Sequence, residues 1–221
     1  MARSSRYEEF RRAIRDLGIV AQGDLAVLWR SVRDARDAKE ALMDLLPDLV
    51  ETYSLAAGSL AADYYDALRE EAGARKRFSA IVPEPGDTGT QSLVAWALDT
   101  ATDGESFKSL VEGGFQKRIA NGARNVVTTS SVADPSAEGW MRIGSGECDF
   151  CAMLVSRGAV YSEESVDFAP HDHCHCQAAP AFNPAQVRAV KSEYVPSARR
   201  RSEAQKETDN ARVREWIANN L

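Results

Sequence analysis

No uninterrupted apolar run in these 221 residues approaches the roughly 18 that a membrane-spanning helix requires, so a transmembrane helix is not part of the reading. The first 18 residues are charged throughout, unlike a secretory signal, which places synthesis in a cytosol where thiols stay reduced or metal-bound. Basic residues are not in excess: 27 Lys and Arg stand against 33 Asp and Glu, a formal net charge of −6, and the chain as a whole lacks the electrostatic footprint of a nucleic-acid binder. Neither a G-x-S-x-G elbow nor an H-E-x-x-H pair occurs, which removes two common hydrolase signatures. Cysteine and histidine are scarce, four and three residues, yet all seven lie between Cys148 and Cys176.

That stretch reads CDFC, then a segment containing SRGAVY, then HDHCHC. Cys148 and Cys151 have C-x2-C spacing, which can aim two sulfurs at one point, as a tetrahedral Zn²⁺ or a redox pair requires. Cys174 and Cys176 are two apart, so on an extended strand both face one side, with His171 and His173 in the loop before them and His175 between. Disulfides are the alternative, since four cysteines allow three connectivities. A thioredoxin-like pair is disfavoured because no βαβ pattern surrounds CDFC.

Residues 1–130 read as helical. Tyr7, Phe10, Ile14 and Leu17 predict a short helix ending at Gly18; Leu25, Leu28, Val32, Ala35, Ala38, Leu42 and Leu45 predict a second over 24–46. Pro47 predicts a joint, followed by a third helix to about Ala72 with Leu49, Tyr53, Ala56, Leu60, Tyr64 and Leu68 on one stripe and Gly73 beyond its end. Its small residues, Ala56, Ala57, Gly58, Ala61 and Ala62, predict close helix approach. Residues 73–89, with two prolines and three glycines, read as a surface connection, and the basic trio Arg75, Lys76 and Arg77 as a solvated helix end. Helices resume over 93–101 and 106–127.

The composition changes after Val127, where TTSSVADPSAEG reads as a loop, and a domain boundary is expected inside it. Residues 131–184 then form a small β-rich Cys/His module, with strands at Trp140–Ile143, at 159–161 and over 174–179, and a helical turn through Met153 and Leu154 closed by Gly158. About fifty such residues hold too little core to be comfortably stable alone, and a structural zinc supplies on the order of 10 kcal/mol of apparent folding free energy. From Arg188 onward eight basic residues face five acidic ones, and a helical tail is expected over 185–221. Its Arg199, Arg200 and Arg201 are the candidate DNA contacts, with a solvated terminal helix as the plainer alternative. The fold class is α+β.

The order Gly139, Trp140, Arg142, then C-x2-C, SRGAVY, and H-x2-C-x-C (His171, Cys174, Cys176) followed by AAPAF resembles the Mu F-like head morphogenesis, or minor capsid, proteins of tailed bacteriophages. The helical stretches YSLAAGSLAADYYDALREEAG and FQKRIANGARNVVTTSSVADPSAEGW are similar to versions from phages of actinobacteria, so the resemblance extends to about Phe182. Asp172 and His173 replace the Pro-Asn usual in the closing motif. The resemblance implies a virion protein inside the head near the portal, present in the host cytoplasm during assembly. Its implied partners are the portal protein and the major capsid or scaffold protein, with packaged DNA reached through the basic tail. It also implies, as the alternative, a capsid maturation protease, the label many relatives carry; the C-terminal toxin domain of longer relatives is not expected. A non-enzymatic assembly protein leads, with no catalytic residue assigned. Cys148, Cys151, His171 and Cys174 form the first zinc ligand set and Cys176 is the closest substitute.

Overall fold

The computed structural model describes residues 2–32, 35–84, 89–144, 149–159, 161, 168, 173–186 and the single positions 202, 204 and 211. Four helices dominate them: α1 (Ala2–Ser31), α2 (Ala35–Glu71), α3 (Thr90–Thr100) and α4 (Gly104–Ala133). Then follow β1 (Gly139–Ile143), α5 (Asp149–Ser156), β2 (Gln177–Ala181) and a 3-10 turn at Pro184–Gln186. The architecture is α+β, helices carrying one small antiparallel sheet. No helix among the described residues is long and apolar enough to cross a membrane.

Helix α1 does not stop at Gly18. Phe10, Ile14, Ala21, Leu25 and Leu28 form one continuous buried stripe across Gly18 and Gly23. A glycine inside a helix costs about 1 kcal/mol, less than the stripe recovers by staying in register. Nor does Pro47 divide α2. Leu42, Leu46 and Val50 flank it on one buried face, and that shared burial keeps the helix whole although proline removes one backbone hydrogen bond. Of the predicted third-helix stripe, Tyr64 and Leu68 are buried and Leu49, Tyr53 and Ala56 half-buried, whereas Leu60 is exposed; Val50, Ala57, Ala61 and Tyr65, one residue on, complete the buried face. Gly73, at φ 68, closes α2, its N–H donating to Glu70 O at 2.9 Å.

The small residues of α2 meet α4 rather than only α1. A Cβ on Gly122 would lie 2.3 Å from Ser54 O, and one on Gly58 would lie 3.4 Å from Val126. Helix α4 begins at a capping box, Ser106 N–H donating to Asp103 Oδ1 at 2.7 Å and Asp103 N–H to Ser106 Oγ at 3.0 Å. It runs six residues past Val127, through the first half of the stretch expected to be a loop. Its late hydroxyls have partners: Ser131 Oγ donates to Val127 O, and Ser130 Oγ accepts from Ile81 N–H. Asp134 then ends the helix, buried, accepting from Arg69 Nε at 2.7 Å and Tyr65 Oη at 3.2 Å.

The sheet pairs Gly139 with Ala181 through Ile143 with Gln177, so β2 starts three residues later than expected. Tyr161 bridges to Trp140, whose ring stacks on those of Tyr161 and Phe168. The sheet packs on α4, and a single buried set continues from Phe10 through Val127 to Trp140, Cys176 and Ala179. The expected division at residue 130 falls inside α4. Nearly all of the basic tail lies outside the described residues.

Candidate metal centre

Two elements supply the described thiols. Cys151 is the third residue of α5, and Cys174 and Cys176 lie in the extended segment leading into β2. His173 takes φ 59, a left-handed turn that starts this segment, after which the side chains alternate: Cys174 buried, His175 exposed, Cys176 buried. Gly144, just after β1, makes room for the site, since a Cβ there would lie 2.7 Å from Cys176 Sγ.

The three sulfurs all lie within 4.8 Å of one another, and Cys151 Sγ is 3.8 Å from Cys174 Sγ. A disulfide needs about 2.05 Å, so none of these pairs is bonded. A tetrahedral zinc with metal–sulfur bonds of about 2.3 Å has sulfur–sulfur edges of about 3.8 Å, the separation found between Cys151 and Cys174. Soft, buried thiolates in this arrangement fit zinc and leave one corner for a fourth ligand.

The protons are shared unevenly. Hydrogen bonds from the Cys151 and Cys176 thiols push Cys174 far below the ordinary thiol range, helped by the Arg124 charge. Cys151 is pushed up, first by its hydrogen bond to Cys174, then by that to Cys176 and by burial. At Cys176 the lowering bond from Cys151 is outweighed by the bond to Cys174, burial and the Cys174 charge, which raise it to about 11.

Two buried guanidinium groups stand beside the sulfurs. Arg124, fully buried on α4, donates through Nη2 to Cys174 O at 2.7 Å and Cys176 O at 2.8 Å, and through Nε to Cys176 O at 3.0 Å. Burial lowers it from 12.5 to about 10, while the thiols act in the opposite direction. Arg142 on β1 donates to Phe168 O, and its Nε and Nη1 have no partner among the described residues. The Phe168 ring receives both cations, Arg142 at 3.9 Å and Arg124 at 4.8 Å from its centroid. Three thiolates and one Zn²⁺ sum to −1, so cations here oppose a negative centre rather than a positive one.

Of the expected ligands, the structure thus brings together Cys151, Cys174 and Cys176; Cys148 and His171 lie outside the described residues. So do Arg199, Arg200 and Arg201. His173 and His175 are exposed and not part of the sulfur cluster. Arg124 was not anticipated as part of the site. Its signal was its position: Ala120, Arg124, Val127 and Ser131 follow the buried stripe of α4, so this arginine had to be buried.

No curated protein and no solved structure matches the chain. The VG15 protein family matches residues 1–202, a span that includes the four helices, the sheet and every cysteine. The chain belongs to the VG15 protein family, a viral gene protein family that marks it as a phage protein.

Proposed function

We propose that this phage protein is a non-enzymatic head-assembly component, a minor capsid or head-morphogenesis protein of the portal vertex, whose cysteine module is held by a structural zinc. The observation that carries the zinc is the convergence of three buried thiols within 4.8 Å of one another, with Arg124 tying the Cys174 and Cys176 backbone to the helical body. Zinc supplies a cross-link between α5 and the strand-entry segment, joining sequence positions 23 residues apart. Cys151, Cys174 and Cys176 provide three ligands, and Cys148 or His171 is assigned the fourth. The head role is supported by the viral family and by the likeness of the GW-x-R and closing Cys/His motifs to Mu F-like proteins.

The protease reading is disfavoured by burial. Cys151 and Cys174 are 3% and 6% exposed, which suits ligands and shields them from a substrate carbonyl. The functional test uses purified phage heads, quantified by mass spectrometry, with a Cys174→Ser/Cys176→Ser virus beside the wild type. The chain is expected in wild-type heads at low copy, and the double variant is expected to accumulate defective heads whose capsid protein has the same length as in the wild type. Normal, filled heads lacking the chain overturn the assembly role, and capsid protein shortened only when the thiols are intact establishes the protease.

A further inference from the structure

A cleft of about 310 Å³ lies between the Cys174–Gln177 segment, α1 and α4, and Cys174 is among the residues that line it. Helix α1 lends it Arg11, Arg12 and Arg15, a three- and four-residue spacing that puts three guanidinium groups on one helix face, with Glu8 the single carboxylate. Arg11 is held in place by Glu8, through Nη1 at 3.0 and 3.1 Å. Arg12 and Arg15 are exposed, and no described carboxylate pairs with either. The cleft is therefore a net positive site on a chain of net charge −6. Ile14 and Ile119 give it an apolar floor.

Gln177 supplies the second observation. It lines the cleft, is 2% exposed, and its Oε1 has no hydrogen-bond partner among the described residues. A buried amide oxygen left this way is destabilising until a donor satisfies it, so a ligand that brings an N–H to Gln177 gains by doing so. A suitable ligand thus offers carboxylates for the guanidinium forks, an N–H for Gln177 and aliphatic surface for the isoleucines. Phosphate and phosphodiesters offer acceptors only, and the cleft is far smaller than a duplex.

We propose that this cleft binds a short extended peptide segment of a partner protein in which acidic residues flank an aliphatic one, through Arg12, Arg15 and Gln177. The cleft adjoins the proposed zinc centre through Cys174, but its positive charge comes from α1 and does not depend on the metal.

The test is fluorescence anisotropy on the full chain with a labelled hexapeptide alternating glutamate and leucine, its glutamine counterpart, and an oligothymidine of equal charge. The glutamate peptide is expected to bind at least tenfold more tightly than the other two, and less tightly as salt rises. Arg12→Gln/Arg15→Gln is expected to lose at least tenfold with an unchanged thermal midpoint, both side chains being exposed. Gln177→Leu is expected to weaken binding severalfold while keeping the preference for glutamate. Equal binding of the glutamate and glutamine peptides, or an unaffected arginine double variant, overturns the proposal. Tighter binding of oligothymidine overturns it in favour of nucleic acid.

Discussion

Arg124→Met separates two things this residue does. In the metal-free protein the substitution leaves Cys174 O and Cys176 O without their donors, at about 1–3 kcal/mol each, or about 2–6 together. Against that, it removes a guanidinium that burial has lowered from 12.5 to about 10, a relief of about 3 kcal/mol. The two nearly cancel, leaving a net loss of about 1 kcal/mol, or about 2–4 °C in thermal midpoint for a chain of this size. The metal-bound protein has no such cancellation. Its thiolate centre is negative and loses a buried cation, and hydrogen bonds to charged groups are each worth about 1.5–3 kcal/mol. Zinc affinity, measured by competition with a chromophoric chelator, is therefore expected to fall at least tenfold, tenfold being about 1.4 kcal/mol. Arg124→Lys keeps the charge but not the fork, and is expected to retain more affinity than Arg124→Met. Wild-type zinc affinity in Arg124→Met, or a midpoint loss as large with metal removed as with metal bound, refutes the reasoning.

Asp134→Ala strands the Arg69 guanidinium and the Tyr65 hydroxyl in the interior, and is expected to cost about 3–5 kcal/mol by chemical denaturation; a loss under 1 kcal/mol contradicts the buried pair. Gly122→Ala forces α2 from α4 because its new methyl meets Ser54 backbone, and should destabilise by about 1–3 kcal/mol. Gly113→Ala first meets the exposed His173 ring, which can move, so a smaller loss is expected, and the reverse order counts against the packing. Zinc must displace protons from Cys151 and Cys176, both raised, so affinity is expected to weaken as pH falls through the neutral range, read by the same chelator competition. A flat profile between pH 6 and 8, an interval wholly below the raised Cys176 value of about 11, would show that the thiols are not ligands.

The helices were legible because burial writes a three-to-four repeat, as from Phe10 to Leu28. Their ends were not, because propensity is local and packing is not. Gly18 and Pro47 look like stops only until the stripes on either side are seen to share a neighbour. The Ser- and Thr-rich end of α4 reads as a loop for the same reason: nothing local reveals that Ile81 and Val127 satisfy its hydroxyls. The centre was legible in its sulfurs, since Cys174 and Cys176 alternate inward and Cys151 enters from the helix that Met153 and Leu154 announced. Its surroundings were not. Arg124 lies 50 residues from Cys174, and Gly144 matters only because a sulfur from a distant segment fills the space beside it.

The central claim is that the converging thiols hold a metal, and metal content with zinc-edge X-ray absorption on protein purified without added metal tests it most directly. One zinc per chain with sulfur neighbours at about 2.3 Å is the expected result. Metal-free protein with freely titrating thiols and a thermal midpoint indifferent to chelator contradicts it.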